Sequence, residues 1–227
     1  MGNAVLIGNS DGIGLSATRA LLAREWTVAG LSRSVSPIQN KAYTHTVITV
    51  QNKDYTERLK ESINRIGPID LCVYCAGIGE LLDLSNMEKD LDVFDVNLIG
   101  LVKTVVHMVP HFLNQGSGHF IGLSSLADEL LSNKAPSYHA SKAGFSSYLE
   151  SLALALKPKG VYVTNLRFGF VNTKMAKGEV KPFMMDVERA AEHLFNCIQK
   201  KPIRYTAPRI VVPLVKFRHF IMRITGY

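Results

Sequence analysis

Six short runs rich in apolar and β-branched residues, near 3–7, 27–32, 46–50, 69–75, 118–124 and 161–167, alternate along most of this chain with stretches of helical pattern. That rhythm constrains the fold more than any other feature, because strand–helix–strand repeats join neighbouring strands in parallel and lay helices over the sheet. The runs themselves agree: "AVLI", "VAGL" and "HFIGL" are almost continuously apolar, as strands covered on both faces must be. The expectation is an α/β fold, a doubly wound parallel sheet with helices on both faces. A chain of 227 residues without repeats or a long linker suits one domain, 1–227. Sheets of this kind bind ligands beyond the carboxyl ends of their strands, so functional residues are expected there.

The first such end carries "GNSDGIG" with the helical "LSATRALLA" behind it. Gly8 permits a tight turn, Gly12 lets backbone N–H groups approach a pyrophosphate, and Gly14 lets the helix pack on the sheet. Ser10, Asp11 and Ile13 complete the loop, and Asp11 is placed to cap the helix. Turn chemistry alone also uses glycines, but a glycine loop at the first strand-to-helix junction favours a dinucleotide. The second run ends in Ser32-Arg33-Ser34. Ser32 stands where an acid would grip the ribose 2′-hydroxyl of NAD, and Arg33 suits the 2′-phosphate of NADP, so NADP(H) is expected over NAD(H).

Composition narrows the setting. An apolar fraction of 47% and a charged fraction of 20% exclude extensive disorder. No stretch reaches ~18 uninterrupted apolar residues, so no membrane span is read. The chain enters its first apolar run without a basic leader, and the expected location is cytoplasmic. Cys72 and Cys75 form a C-x-x-C pair, but within a strand their side chains point to opposite faces. They are therefore read as buried thiols, and no metal site is expected. The net charge of +7 is local: Lys200, Lys201, Arg204, Arg209, Lys216, Arg218 and Arg223 follow Glu192, the last acid. A nucleic-acid binder would spread basic and aromatic residues over a face, so no nucleic-acid partner is expected.

The segment "SYHASKAG" puts Tyr138 four residues before Lys142, on one side of a helix. A positive charge one turn away favours a phenolate, which would make tyrosine a serviceable proton donor and acceptor near neutrality. Packing alone would explain any one such residue. Six motifs in order, "GNSDGIG", "CAG", "DVNLIG", "LSSLA", "YHASK" and "FGFVNT", are harder to explain that way. From Asn3 to about Met175 the chain resembles the short-chain dehydrogenase/reductase family. The resemblance implies a Rossmann-like domain and an enzyme that interconverts a carbonyl and an alcohol on a small molecule. It also implies a catalytic tetrad of Asn97, Ser125, Tyr138 and Lys142. Ser125 would hold the substrate oxygen, Lys142 would also bind the nicotinamide ribose, and Asn97 would support a water that links the lysine to solvent. Gln51, Cys75, Ala76, Gly77, Val171 and Thr173, with Tyr138 and Lys142, would join the glycine loop, Ser32 and Arg33 in holding the cofactor. His139 points about 100° away from Tyr138 and is read as structural or substrate-facing.

The match has departures. Ile7 replaces a threonine before the glycine loop, Gln51 and Asn52 an acid–apolar pair beside adenine, Tyr74 and Cys75 two asparagines, and Phe168 a proline. The segment after Thr173 is short for a substrate loop, and Phe183, Met184 and Met185 either line an apolar cleft or anchor the core. The tail, 203–227, lacks a glycine-rich ending. On a helix from Leu214, Leu214, Phe217, Phe220, Ile221 and Ile224 share one face, with Lys216, His219 and Arg223 opposite. Such a helix docks on its own core or on a second subunit, or makes peripheral contact with an anionic membrane. A homo-oligomer thus stays open. Two rival readings remain: a catalytically idle NAD(P)-binding sensor or scaffold, and a membrane-surface protein acting through its tail.

Overall fold

The computed structural model describes residues 2–176, 181 and 183–225, with backbone alone at 216, 218 and 223. Seven parallel strands, β1 (Asn3–Ile7), β2 (Thr27–Ser32), β3 (Tyr43–Val47), β4 (Leu71–Tyr74), β5 (Gly118–Ser125), β6 (Val161–Phe168) and β7 (Arg204–Ala207), form one sheet in the order β3-β2-β1-β4-β5-β6-β7. The order reverses direction between β1 and β4, and their carboxyl ends frame the crevice where such sheets bind ligands. The third strand begins three residues earlier than its apolar pattern suggests. It pairs Tyr43 with Val28 through to Val47 with Ser32, and so stops where β2 stops. The four-residue β7 was not anticipated; it sits at the edge, where a short segment leaves little periodic signal.

Side chains of β1 alternate between two cores, as a doubly covered strand requires. Val5 and Ile7 enter the core beneath α2 (Tyr55–Ile66), α4 (Gly100–Gln115) and α5 (Pro136–Leu156). Ala4 and Leu6 enter the opposite one, beneath α1 (Gly12–Leu22) and α6 (Val187–Lys200). Cys72 and Cys75 divide in the same way, the first in one core and the second against the other. Burial pushes the Cys75 thiol up to about 12. The helical run of α3 (Glu88–Phe94), a π-helical turn at Asp95–Ile99 and α4 is long and apolar enough, by length and composition, to cross a membrane. Here it lays Leu101, Val105, Met108 and Phe112 on the sheet.

His119 of β5 is buried, with Nε2 2.9 Å from Thr164 Oγ1 and Nδ1 unpartnered. Burial, helped by the charge of Lys201, pushes its pKa down to about 3. The unfolded chain, with a histidine pKa of about 6.5, therefore takes up this proton first as pH falls. Stability from this group is complete above that value and drains away toward pH 3, by about 1.4 kcal/mol per pH unit. Urea unfolding at pH 7 and pH 5 is expected to show about 2 kcal/mol of loss that His119→Phe does not share.

Candidate active site

The turn after β1 shows why glycine is needed there. Gly8 has φ +82°, and a Cβ on it would stand 2.6 Å from the Ala76 nitrogen at the end of β4. A Cβ on Gly14 would fall on the Gly8 carbonyl oxygen, so only glycine lets α1 start this close to the strand. Asp11 caps α1, accepting from Gly12 N at 2.8 Å. Its carboxylate would repel an anion at the same helix end. Lys174 answers that charge at 2.7 Å and holds the Asp11 carboxyl below the usual range. A cleft of ≈ 440 Å³ opens here, lined among others by Asp11, Gly12, Asn172, Thr173 and Lys174. Helix N–H groups and the α1 dipole make this end suited to phosphate. Ser10 is half-buried within the turn, and Ile13 packs on the core below.

At the end of β2, Ser32 is buried and donates to the Ser34 carbonyl at 2.9 Å, while Arg33 is exposed. His45 braces this corner. Its Nε2 lies 3.0 Å from the Ser34 carbonyl oxygen, and its Nδ1 lies 2.8 Å from Tyr43 Oη, which accepts from Asn9 Nδ2 at 2.8 Å. These contacts are mutually consistent for an Nε2–H tautomer, with the Tyr43 hydroxyl donating to Nδ1. Gln51, expected beside adenine, gives its amide to Asp92 at 2.8 Å. Val171 bridges to Met185 and turns its side chain into the core, which leaves its main chain as the part able to meet a ligand. Thr173 lies over the glycine loop, its Cγ2 3.3 Å from where a Gly12 Cβ would be.

The four residues of the expected tetrad come together beyond β4 and β5. Asn97 lies in the π-helical turn, a widening that recurs at functional sites. It is wholly buried; its Oδ1 accepts from Ile78 N at 2.8 Å, and its Nδ2 donates to the Ile78 carbonyl at 2.9 Å and to Ser141 Oγ at 3.0 Å. Its side chain thus fixes the strand of loop that carries Gly77. Tyr74, in place of an asparagine, holds the same turn by donating to the Val96 carbonyl at 2.6 Å. Ser125 ends β5 and accepts from Ala127 N at 3.1 Å, which starts a 3₁₀ turn at Leu126–Glu129. Tyr138 and Lys142 lie one turn apart on α5.

Electrostatics differ from the sequence expectation in one respect. Lys142 Nζ is buried, 6.0 Å from the Tyr138 ring centroid, and donates to the Leu123 carbonyl at 3.0 Å. Burial lowers its pKa to about 8, against the opposing charges of Asp128 and Cys75. Tyr138 is not pulled down. Burial raises it above 10, Ser125 opposes by hydrogen bonding, and Asp128 adds to the rise. Desolvation is the largest influence on the phenol within the protein's own field, and it outweighs the hydrogen bond from Ser125. His139 is structural, its Nδ1 2.8 Å from the Leu130 carbonyl oxygen.

No local pattern signals the charges beneath this floor. Arg167 of β6 is 1% exposed, with Nη2 2.6 Å from Asp128 and 2.7 Å from Glu129. Asp128 also accepts from Ser146 at 2.5 Å, and Ser146 contacts Ser124 at 2.8 Å. The 3₁₀ turn after Ser125 is therefore tied to β6 by a buried ion cluster and to α5 by the Ser146 hydroxyl. Beyond Thr173 the alternatives divide: Met185 is a core anchor, whereas Phe183 is exposed and borders a ≈ 230 Å³ cavity with Met184, His193 and Ile210. Residues 177–180, in the stretch read as a short substrate loop, lie outside the described residues.

These features fit a dinucleotide. A side chain at Gly77 would come within 3.6 Å of Lys142 Nζ, and one at Gly79 within 3.4 Å of the Tyr138 ring, so both glycines keep the floor of the crevice bare. The profile of the family described as short chain dehydrogenase matches residues 2–182. An uncharacterized oxidoreductase of Myxococcus xanthus is 30% identical over 225 residues, 92% of this chain and 89% of that protein. One from Staphylococcus saprophyticus is 29% identical over 188 residues, 76% of this chain and 80% of that one. Among solved structures, a short chain dehydrogenase from Burkholderia cenocepacia in complex with NADP shares the fold with a TM-score of 0.86. It is 19% identical, and the match covers 98% of this chain and 96% of that one. Fold and site together define an NAD(P)-dependent oxidoreductase acting on CH–OH groups. More specifically, the chain belongs to the short chain dehydrogenase family.

Proposed function

We propose that this protein reduces a carbonyl, or oxidises the matching alcohol, on a small and partly apolar molecule, with NADP(H) preferred to NAD(H). The observation that carries this reading is the gathering of Ser125, Tyr138, Lys142 and Asn97 around the bare floor at Gly77 and Gly79. The nicotinamide, when bound, supplies or accepts the hydride. Ser125 holds the substrate oxygen by a hydrogen bond, and Tyr138 delivers the proton that an alkoxide requires or takes it from an alcohol. Lys142, once its ammonium turns from Leu123 toward the ribose and the phenol, favours the deprotonated tyrosine. Asn97 keeps the loop in register for both. A crevice that excludes water strengthens each of these interactions.

Arg33 and the absence of an acid at Ser32 support the NADP(H) preference, and the exposed Phe183 supports an apolar substrate. Free Cys72, Cys75 and Cys197 support a reducing, cytoplasmic setting. Titration of the purified chain with NADPH and NADH, followed by nucleotide fluorescence, is the direct test. NADPH is expected to bind about tenfold tighter, and Arg33→Ala to remove most of that difference by deleting one charge partner of the 2′-phosphate. Equal binding of the two nucleotides by the wild-type chain would overturn the preference. Failure of both to bind would mean that the fold is kept while its cofactor chemistry is lost.

A further inference from the structure

The last helix, α7 (Val212–Thr225), is turned the opposite way from a helix docked on its own core. Leu214 is 66% exposed, Phe217 62%, Phe220 58%, Ile221 39% and Ile224 65%. At 100° per residue these five fall in one arc, and Ile210, just before the helix, continues it. The half-buried positions Val215, His219 and Met222, spaced i, i+4 and i+7, form the arc on the other side. There His219 Nδ1 meets the carbonyl oxygen of Glu129, in the 3₁₀ turn that follows Ser125. The helix is thus seated on the body through its histidine side while a continuous row of large apolar side chains faces away. The apolar surface continues past the start of the helix, because Ile210 shares a cavity with Phe183, Met184 and Met185.

A contiguous exposed row of Leu, Phe and Ile calls for a partner, and charge selects which. The chain carries 26 Lys and Arg against 19 Asp and Glu; seven of the 26 lie in 200–227, which holds no acid, so the remainder has 19 against 19. A second copy docked through this face would bring two acid-free basic segments together. An anionic lipid surface complements the same charge and accepts the apolar arc. We propose that α7 lies in the plane of an anionic lipid surface, with Leu214, Phe217, Phe220, Ile221 and Ile224 at the acyl boundary and the protein body on the water side. This surface is separate from the reductase site.

The test uses the full chain with sedimentable vesicles of phosphatidylcholine, alone or mixed with phosphatidylserine. The chain is expected to pellet with the mixed vesicles, to stay in solution with phosphatidylcholine alone, and to be released by high salt, which screens the attraction. Phe217→Glu with Phe220→Glu is expected to weaken pelleting by roughly tenfold or more, and Ile224→Glu near the helix end by less. NADPH binding and the thermal transition of the variants should match wild type, which shows that they are folded and separates this proposal from the cofactor reading. No pelleting with the mixed vesicles, or equal pelleting of wild type and the double variant, overturns the proposal. So does a wild-type dimer that ignores vesicles and that the double variant splits into monomers, because the row would then be a subunit interface.

Discussion

Tyr138→Phe is expected to lower turnover by about 100- to 10,000-fold, the usual worth of a positioned acid–base group. NADPH affinity should stay within about twofold, because the change removes one oxygen and leaves the ring in place. That ring is half-buried, packs where Gly79 leaves room and sits 6.0 Å from Lys142 Nζ. Burial raises the pKa of its hydroxyl above 10, with Ser125 opposing the rise. Within the protein alone the phenol therefore stays protonated near neutrality, the form that its proposed role as proton donor in carbonyl reduction requires. Reduction should persist on the acid side, and alcohol oxidation should require higher pH. The measurement is steady-state NADPH consumption over a panel of carbonyls, paired with fluorescence titration of the nucleotide. Turnover of the variant within about threefold of wild type would remove the tyrosine from the chemistry. Loss of both binding and turnover would show instead that the hydroxyl serves nucleotide binding and not the chemical step alone.

The class of fold was legible because it rests on repetition. The first six strands each reported themselves through a run of apolar residues and then a turn, the short edge strand β7 did not, and an error of three residues at β3 left the topology intact. The glycine loop was legible for a different reason: a left-handed φ and a contact that excludes a Cβ leave no other residue for Gly8. Tyr138, Lys142, Ser125 and Asn97 were singled out through ordered motifs that resemble the family's, and the fold places them near one another. What spacing could not convey was the direction of polar side chains. Gln51 turns to Asp92, and the Lys142 ammonium turns to the Leu123 carbonyl. Neither follows from local pattern, since each is settled by a partner 41 or 19 residues away. The tail shows the same limit. Its wheel separated an apolar side from a histidine side correctly, but which side meets the body is a tertiary choice, and the backbone seats the histidine side. The side chains of Lys216 and Arg223, expected opposite the apolar row, lie outside what the structure describes.

The largest loss of stability is expected from Arg167→Leu. In sequence this arginine is one residue in an apolar strand, with nothing to separate it from a surface cation. In the fold it is 1% exposed and joins two carboxylates of the turn that follows Ser125, Asp128 at 2.6 Å and Glu129 at 2.7 Å. Glu129 keeps a second cation, Arg204 at 3.4 Å, but Asp128 would be left with Ser146 alone. An ion stranded in a buried site destabilises by about 3–5 kcal/mol, whereas removing both ends of a pair is often close to neutral. Arg167→Leu combined with Asp128→Leu should accordingly recover much of what the single change loses, and the coupling read from this cycle measures the pair. The pH dependence gives a second check. Burial already raises the Asp128 carboxyl despite Arg167, and without the guanidinium it rises further. A carboxyl raised above its unfolded value of about 3.9 binds its proton more tightly when folded, so stability is present at low pH and falls as pH rises through the folded value. The deficit of Arg167→Leu in urea should therefore be smaller near pH 5 than near pH 8, and a deficit that stays constant would mean that packing, not charge, is what Arg167 supplies. Because Asp128 belongs to the turn that starts at Ser125, the same variant should also lose turnover under conditions where it remains folded, with NADPH binding kept. The buried pair then acts as a positioning element, holding the serine where Tyr138 can share a substrate oxygen with it.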